Sequence, residues 1–316
     1  MPTPETFQRR TPDLSIERAH QAREVIPPEF VDSPQYESPF LNELLGRRVV
    51  VKVETLNPLR SFKGRGVSFA LRDIAEGEVV VCASSGNFGQ AVAYVCTRAG
   101  AVARVFTPAA GNRAKRERMR GLGAEVIEID GDLAAVRAAA RLDAEARDAR
   151  YVVDGRDGAI AEGAATIAAE LSGDGEFDAV VAPIGDGSLI SGLGLWFGKY
   201  APATRIIGVT PTSAPAMRDS WAAGRPLTVA PRSGFAEDIS IPRPDPHSLT
   251  RLTALVDDIV EVSDDEMRRA MTLIAEQLGV LAEPAGAAGI AALASGTISG
   301  SRVATVVTGA NRRPTQ

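Results

Sequence analysis

The chain has 316 residues, 45% hydrophobic and 24% charged, the composition of an ordinary globular protein with room for two domains. A formal net charge of −5 removes any general attraction to nucleic-acid phosphates, and no apolar stretch approaches the roughly 18 residues of a membrane span. Cys82 and Cys96 each lie in an apolar run, which reads as two buried thiols and not as a disulfide framework or a zinc site.

Residues 1–45 are Pro-rich and irregular, apart from a helix predicted over Ile16 to Glu24. Met1-Pro2-Thr3-Pro4-Glu5 carries no apolar leader segment, so a cytoplasmic protein is expected. Strands are predicted at Val49–Val53, Val79–Cys82, Val102–Phe106 and Glu125–Ile129. Helical patterns separate them at Gly66–Ile74, Gly89–Ala99, Ala114–Leu122 and Leu133–Arg147. The basic run Arg113 to Arg120 reads as a solvated helix face. After residue 150 the alternation restarts, with strands at Asp178–Ile184, Arg205–Val209 and Val303–Val307. Helices are predicted at Leu189–Tyr200, Asp264–Leu278 with Ser263 as N-cap, and Ala285–Leu293. Pro226 to Pro246 is a loop of functional length. Near-continuous Val/Ile strands alternating with helices predict parallel sheets covered on both faces. The fold class is α/β, with two open units and a ligand crevice at the carboxyl ends of the strands.

Four segments at strand ends or helix starts carry the chemistry. Ser61-Phe62-Lys63-Gly64-Arg65-Gly66 places an amine beside an aromatic ring, where it can attack a carbonyl; a surface lysine is the plain alternative. Ala83-Ser84-Ser85-Gly86-Asn87-Phe88-Gly89-Gln90 comes after a strand and opens a helix. It suits a substrate carboxylate, or serves simply as a helix cap. Ile184-Gly185-Asp186-Gly187-Ser188-Leu189 can cradle a phosphate on backbone N–H groups, although Asp186 must then point away; a tight turn is the alternative. Thr308, in Val306-Val307-Thr308-Gly309-Ala310-Asn311, puts a hydroxyl at the end of the last strand.

In this order and spacing the four segments resemble the tryptophan-synthase-β-like superfamily of pyridoxal-phosphate enzymes, fold type II, and within it the serine/threonine dehydratases and serine racemase. Leu122-Gly123-Ala124-Glu125-Val126 and Glu283-Pro284-Ala285-Gly286-Ala287 add to the likeness, which runs from about Ser38 to Asn311. The resemblance implies pyridoxal 5′-phosphate held as a Schiff base by Lys63, which is also the general base. It implies Ser85 as a catalytic hydroxyl on the opposite face. The cofactor site would comprise Phe62, Lys63, Asn87, Gly185, Asp186, Gly187, Ser188, Leu189, Glu283 and Thr308. The substrate carboxylate would lie on Ser84, Ser85, Gly86, Asn87 and Phe88. It further implies a large cofactor-binding domain made of residues 1–72 and 151–316, a small one over 73–150, the cofactor in the cleft between them, and a homodimer. No C-terminal regulatory domain is expected after Thr308.

Thr308 bears on reaction type. A carboxylate opposite the pyridine nitrogen deepens the electron sink; a neutral hydroxyl does not, which suits loss or exchange of a β-substituent better than a long-lived carbanion. The chain departs from dehydratases at Phe88, where many carry His, and at Asp186, where they carry Gly. Thr210 and Ala216 stand where several relatives hold acidic cation ligands, so no metal is expected. Ala236-Glu237-Asp238 replaces Ala-Asp-Gly. Two adjacent carboxylates repel unless a cation or solvent separates them. They read as a solvated loop tip or as a selector for a distal amine or hydroxyl. The expected activity is β-elimination by a lyase. The alternatives are a β-replacement synthase of the cysteine-synthase, threonine-synthase or diaminopropionate-synthase kind, a non-catalytic ligand-binding relative, and, most distant, a nicotinamide-binding Rossmann protein.

Overall fold

The computed structural model describes residues 13–312, so the reading of Met1 to Glu5 lies outside the described residues. In chain order the elements are α1 (Ile16–Val25), β1 (Gln35–Glu37), α2 (Pro39–Leu45), β2 (Arg48–Val53), α3 (Lys63–Ala70), β3 (Val79–Ala83), α4 (Asn87–Arg98) and β4 (Val102–Pro108). They continue with α5 (Arg113–Gly121), β5 (Glu125–Ile129), α6 (Leu133–Arg147), β6 (Arg150–Tyr151), α7 (Gly158–Leu171), β7 (Ala179–Pro183), α8 (Ser188–Tyr200) and β8 (Arg205–Pro211). The last are α9 (Ala216–Ala223), α10 (Pro246–Leu255), β9 (Asp258–Val262), α11 (Asp264–Leu278), α12 (Pro284–Ala294) and β10 (Arg302–Val307).

Two sheets form. One has the order β1-β2-β10-β7-β8-β9, parallel except for the short edge strand β1; the other, β5-β4-β3-β6, is wholly parallel. Both faces of the larger sheet's inner strands, β2, β10, β7 and β8, are buried, and strand residues alternate between them. Val49, Val51, Val53, Val181, Ile207 and Val303 enter one core with α11 and α12. Val50, Val180, Ala182, Ile206, Ala304 and Val306 enter the other with α7 and α8. Helix α12 tolerates its glycines because it presses on the sheet: a Cβ at Gly289 would meet Thr305 Oγ1 at 2.1 Å, and one at Gly286 would meet Gly309 O at 2.4 Å.

Several sequence expectations shift here. The stretch before residue 45 is less irregular than expected, since it holds α1, β1 and α2. Helices α3, α4 and α8 begin at Lys63, Asn87 and Ser188, so the chemical residues open the helices instead of preceding them. The loop from Pro226 is interrupted by a 3-10 turn at Glu237–Ile239. The solvated-face reading of Arg113 to Arg120 is wrong at Lys115, which is 2% exposed. The ammonium has carboxylate partners inside the protein, so burial does not leave it unpaired.

Behind Lys63, α3 is held by a buried charge network. Arg65 is fully buried and forks onto Glu54 at 2.8 and 2.9 Å and onto Glu170 at 2.5 and 2.8 Å, and Lys52 meets Glu170 at 2.5 Å. Burial disfavours the guanidinium charge, and Glu54 and Glu170 outweigh it, so the Arg65 pKa lies above the ordinary value. Removing one partner strands the others in a low dielectric. Arg65→Met should therefore destabilise the cofactor-free protein by about 3–5 kcal/mol in denaturant titration. A loss below about 1 kcal/mol would show that the network is solvated and does not anchor α3.

Candidate active site

Sheet order assembles the site. β2, β10 and β7 are neighbours, so the segments that leave their carboxyl ends lie side by side. Phe62 N–H donates to Thr308 O at 3.0 Å and Ser61 bridges Gly309, pinning the Lys63 segment to the end of β10. The Gly185–Leu189 turn comes after β7, and Ser84–Phe88 faces it from the end of β3 in the other sheet. Phe62, Lys63, Ser84–Phe88, Gly185–Leu189 and Thr308 line one cleft.

Three helices begin at this cleft. A helix start leaves four N–H groups without intrahelical partners and carries partial positive charge. At α4, Ser84 Oγ accepts from Gly86 and Gly89 at 3.2 and 3.0 Å, so this hydroxyl acts as a cap and the N–H groups of Asn87 and Phe88 are left for a ligand. Helix α8 has no side-chain cap; Gly187, at φ 95°, turns the chain into it as only glycine does freely. Helix α3 is likewise uncapped and opens on Lys63. The uncapped start of α8 fits a phosphate, and the Asn87 and Phe88 N–H groups of α4 fit a carboxylate.

Of the four lysines in the chain, Lys52 and Lys115 are buried in ion pairs, and Lys199 is exposed near the end of α8. Lys63 is the one that lines the cleft. Its Nζ meets Asp154 Oδ2 at 2.5 Å, Ser188 Oγ at 3.4 Å, and stands 4.5 Å from the centre of the Phe62 ring. Asp154 and Arg137 are cleft residues that no sequence motif singles out. Arg137 explains Asp186: its Nη2 holds Asp186 Oδ1 at 2.8 Å, so the carboxylate is tied to α6. Burial pushes the Asp186 carboxyl up, with Arg137 opposing.

Asn87, Glu283 and Asn311 form a chain. Asn311 Nδ2 donates to Asn87 Oδ1 at 2.7 Å, and Asn87 Nδ2 donates to Glu283 Oε1 at 2.6 Å. Next to them, Lys115 Nζ is the cation between the paired acids: it binds Asp238, Glu237 at 3.0 Å and Glu283 at 3.5 Å. The solvated-tip reading of Glu237 and Asp238 is thereby corrected. Thr308 is buried at the cleft wall, and Ser85 and Phe88 line it too.

Burial, reinforced by Asp238, pushes the Glu283 carboxyl up to about 8, against the opposing pull of Lys115 and Asn87. Glu283 Oε2 is buried without a hydrogen-bond partner and has Lys115 Nζ at 3.5 Å. A raised carboxyl is stabilising while both states hold the proton. That contribution is lost as pH climbs from 4.5, where the unfolded chain releases it, to about 8, where the folded one does. Glu283→Gln keeps a neutral donor throughout, so its stability relative to wild type should grow across this window. Melting curves at the two ends test it, and a pH-independent difference would mean that Glu283 is ionised in the fold.

The model of the pyridoxal-phosphate dependent enzyme family matches residues 26–309. The chain is 34% identical to the biosynthetic L-threonine dehydratase of Mycobacterium leprae over 96% of its own length and 73% of that protein. It is 32% identical to phenylserine dehydratase of Ralstonia pickettii, over 95% and 93%. Its fold superposes on maize serine racemase with a TM-score of 0.88 at 26% identity, covering 95% of this chain and 94% of that one. With a family match over most of its length and a relative 34% identical over 96% of it, the chain belongs to the pyridoxal-phosphate dependent enzyme family.

Proposed function

We propose that the protein is a lyase that removes the β-substituent of a β-hydroxy or otherwise β-substituted amino acid, releasing a keto acid and ammonia. The observation that carries this reading is Thr308, a buried neutral hydroxyl at the end of β10 beside the Lys63 segment. When bound, the cofactor supplies an electron sink for the bonds at Cα. A hydroxyl wall keeps that sink shallow, which suits reactions that expel a β-group as the Cα–H bond breaks. Two relatives bear the name dehydratase, which supports the same reading.

In this reading the N–H groups of Asn87 and Phe88 hold the substrate carboxylate. The α8 start, with Ser188 and Gly185 to Leu189, holds the phosphate, and Asn87 and Glu283 flank the ring. Lys63 Nζ carries the cofactor and then moves the Cα proton, and Ser85 offers a hydroxyl from the other face. The smaller sheet supports a moving unit over 73–150, closing on 1–72 and 151–316. We also propose a cytoplasmic homodimer. Phe40 and Leu44, one turn apart on α2, are 69% and 61% exposed, and two buried free thiols suit a reducing compartment.

The test is a panel of serine, threonine and phenylserine, with ammonia and keto acid assayed with and without sulfide as added nucleophile. Equal yields of ammonia and keto acid, indifferent to sulfide, are expected. A sulfur-containing amino acid formed at the expense of ammonia would identify a synthase. No turnover by the cofactor-loaded protein would identify a binding relative.

A further inference from the structure

Loss of water from a β-hydroxy amino acid needs two proton transfers. The Cα–H bond breaks and its electron pair forms the Cα=Cβ bond. The Cβ–O bond breaks and its pair leaves with oxygen. Hydroxide is a poor leaving group near neutral pH, so a proton must reach that oxygen as it departs. Lys63 can take the first proton; nothing assigned so far delivers the second.

The acids around the cleft differ in what already holds them. Asp186 is tied to Arg137 at 2.8 Å. Glu237 and Asp238 share Lys115, and Glu283 accepts from Asn87 at 2.6 Å. Asp154 is the one whose carboxylate touches the Lys63 amine, at 2.5 Å through Oδ2. Its Oδ1 is buried and has no hydrogen-bond partner, in a residue only 8% exposed that lines the cleft. The turn that carries it is fixed from behind. Val153 N–H donates to Asp157 Oδ2 at 2.7 Å, and buried Arg251 donates to Gly155 O at 2.9 Å and Arg156 O at 2.6 Å. A carboxylate this close to the base, rigidly placed, with one oxygen unused, is placed to relay a proton.

Building on the elimination reading, we infer that Asp154 delivers the proton to the leaving β-substituent. Lys63 Nζ takes the proton from Cα and passes it to Asp154, and the Asp154 carboxyl gives it to the departing oxygen. The proton lost from Cα thus leaves in the water molecule. Asp154 begins and ends as a carboxylate, Lys63 ends as a neutral amine, and no further reactant is consumed.

The inference separates leaving groups that need a proton from those that do not. The test loads wild type and Asp154→Asn with pyridoxal 5′-phosphate and monitors occupancy by visible absorbance. Elimination from serine is then compared with that from β-chloroalanine, whose chloride departs unprotonated. Turnover of both compounds to keto acid by wild type checks the elimination reading itself; the variant's ratio tests only Asp154. Occupancy is expected to hold, serine dehydration to fall by about a hundredfold or more, and chloride elimination to change by only a few-fold. A parallel fall for both compounds would make Asp154 a mere counter-ion for Lys63, and no fall would make it a bystander; either overturns the inference. If Asp154→Asn loads poorly, Asp154→Ala is assayed with and without formate. Formate restoring serine dehydration alone supports the relay, and formate restoring neither or both overturns it.

Discussion

Three helix starts with unpaired N–H groups, converging on one amine, are the constraint on which the rest of the site depends. Each brings partial positive charge and unpaired N–H groups to the cleft, a cost in an empty protein and an asset once anions occupy it. Parallel strands produce the convergence. With β2, β10 and β7 adjacent in one sheet and β3 opposite in the other, the carboxyl ends of the strands deliver α3, α8 and α4 to the same place. The dry alternation of the larger sheet and the Arg65 network behind α3 keep those ends in register.

The charges that face this convergence are mostly negative, and the fold disposes of each differently. Asp186 meets Arg137, Glu237 and Asp238 meet Lys115, Glu283 accepts from Asn87 with its carboxyl pushed up by burial, and Asp154 meets Lys63. The contacts of Lys115 and Arg137 run from α5 and α6, beside the smaller sheet, to Asp238 and to Asp186 after β7 of the larger sheet. An acid at 186 is compatible with the proposed phosphate role of its turn because its charge is drawn off toward α6. The pair at 237 and 238 needs no ligand cation, because α5 provides one.

What was legible in the sequence was whatever repeats or punctuates. Helix α11 is marked by its Ser263 capping box and by apolar residues at helical spacing, and it lies where the pattern puts it. The four chemical segments are glycine-rich breaks after Val/Ile strands, and all four reach the cleft. Helix α7 escaped notice because nearly every residue from Ile160 to Ala168 is buried, so an Ala/Gly run shows no polar face to mark its period. Lys115 was hidden in a basic run; only its pairing with Met119 one turn on, both buried, hints at an inward face. Asp154 comes after a two-residue strand and belongs to no motif, so only three-dimensional proximity reveals it. The partners of Arg65 are likewise distant in sequence, at Glu54 and Glu170.

The central claim is that Lys63 is the amine on which the cofactor is carried, since Lys52 and Lys115 are closed in ion pairs and Lys199 lies outside the cleft. Borohydride reduction of the cofactor-loaded protein, with peptide mass mapping of the product, tests it most directly. The account predicts one reduced pyridoxyl adduct, at Lys63, abolished in Lys63→Ala. An adduct at Lys52, Lys115 or Lys199 in the active protein would contradict it.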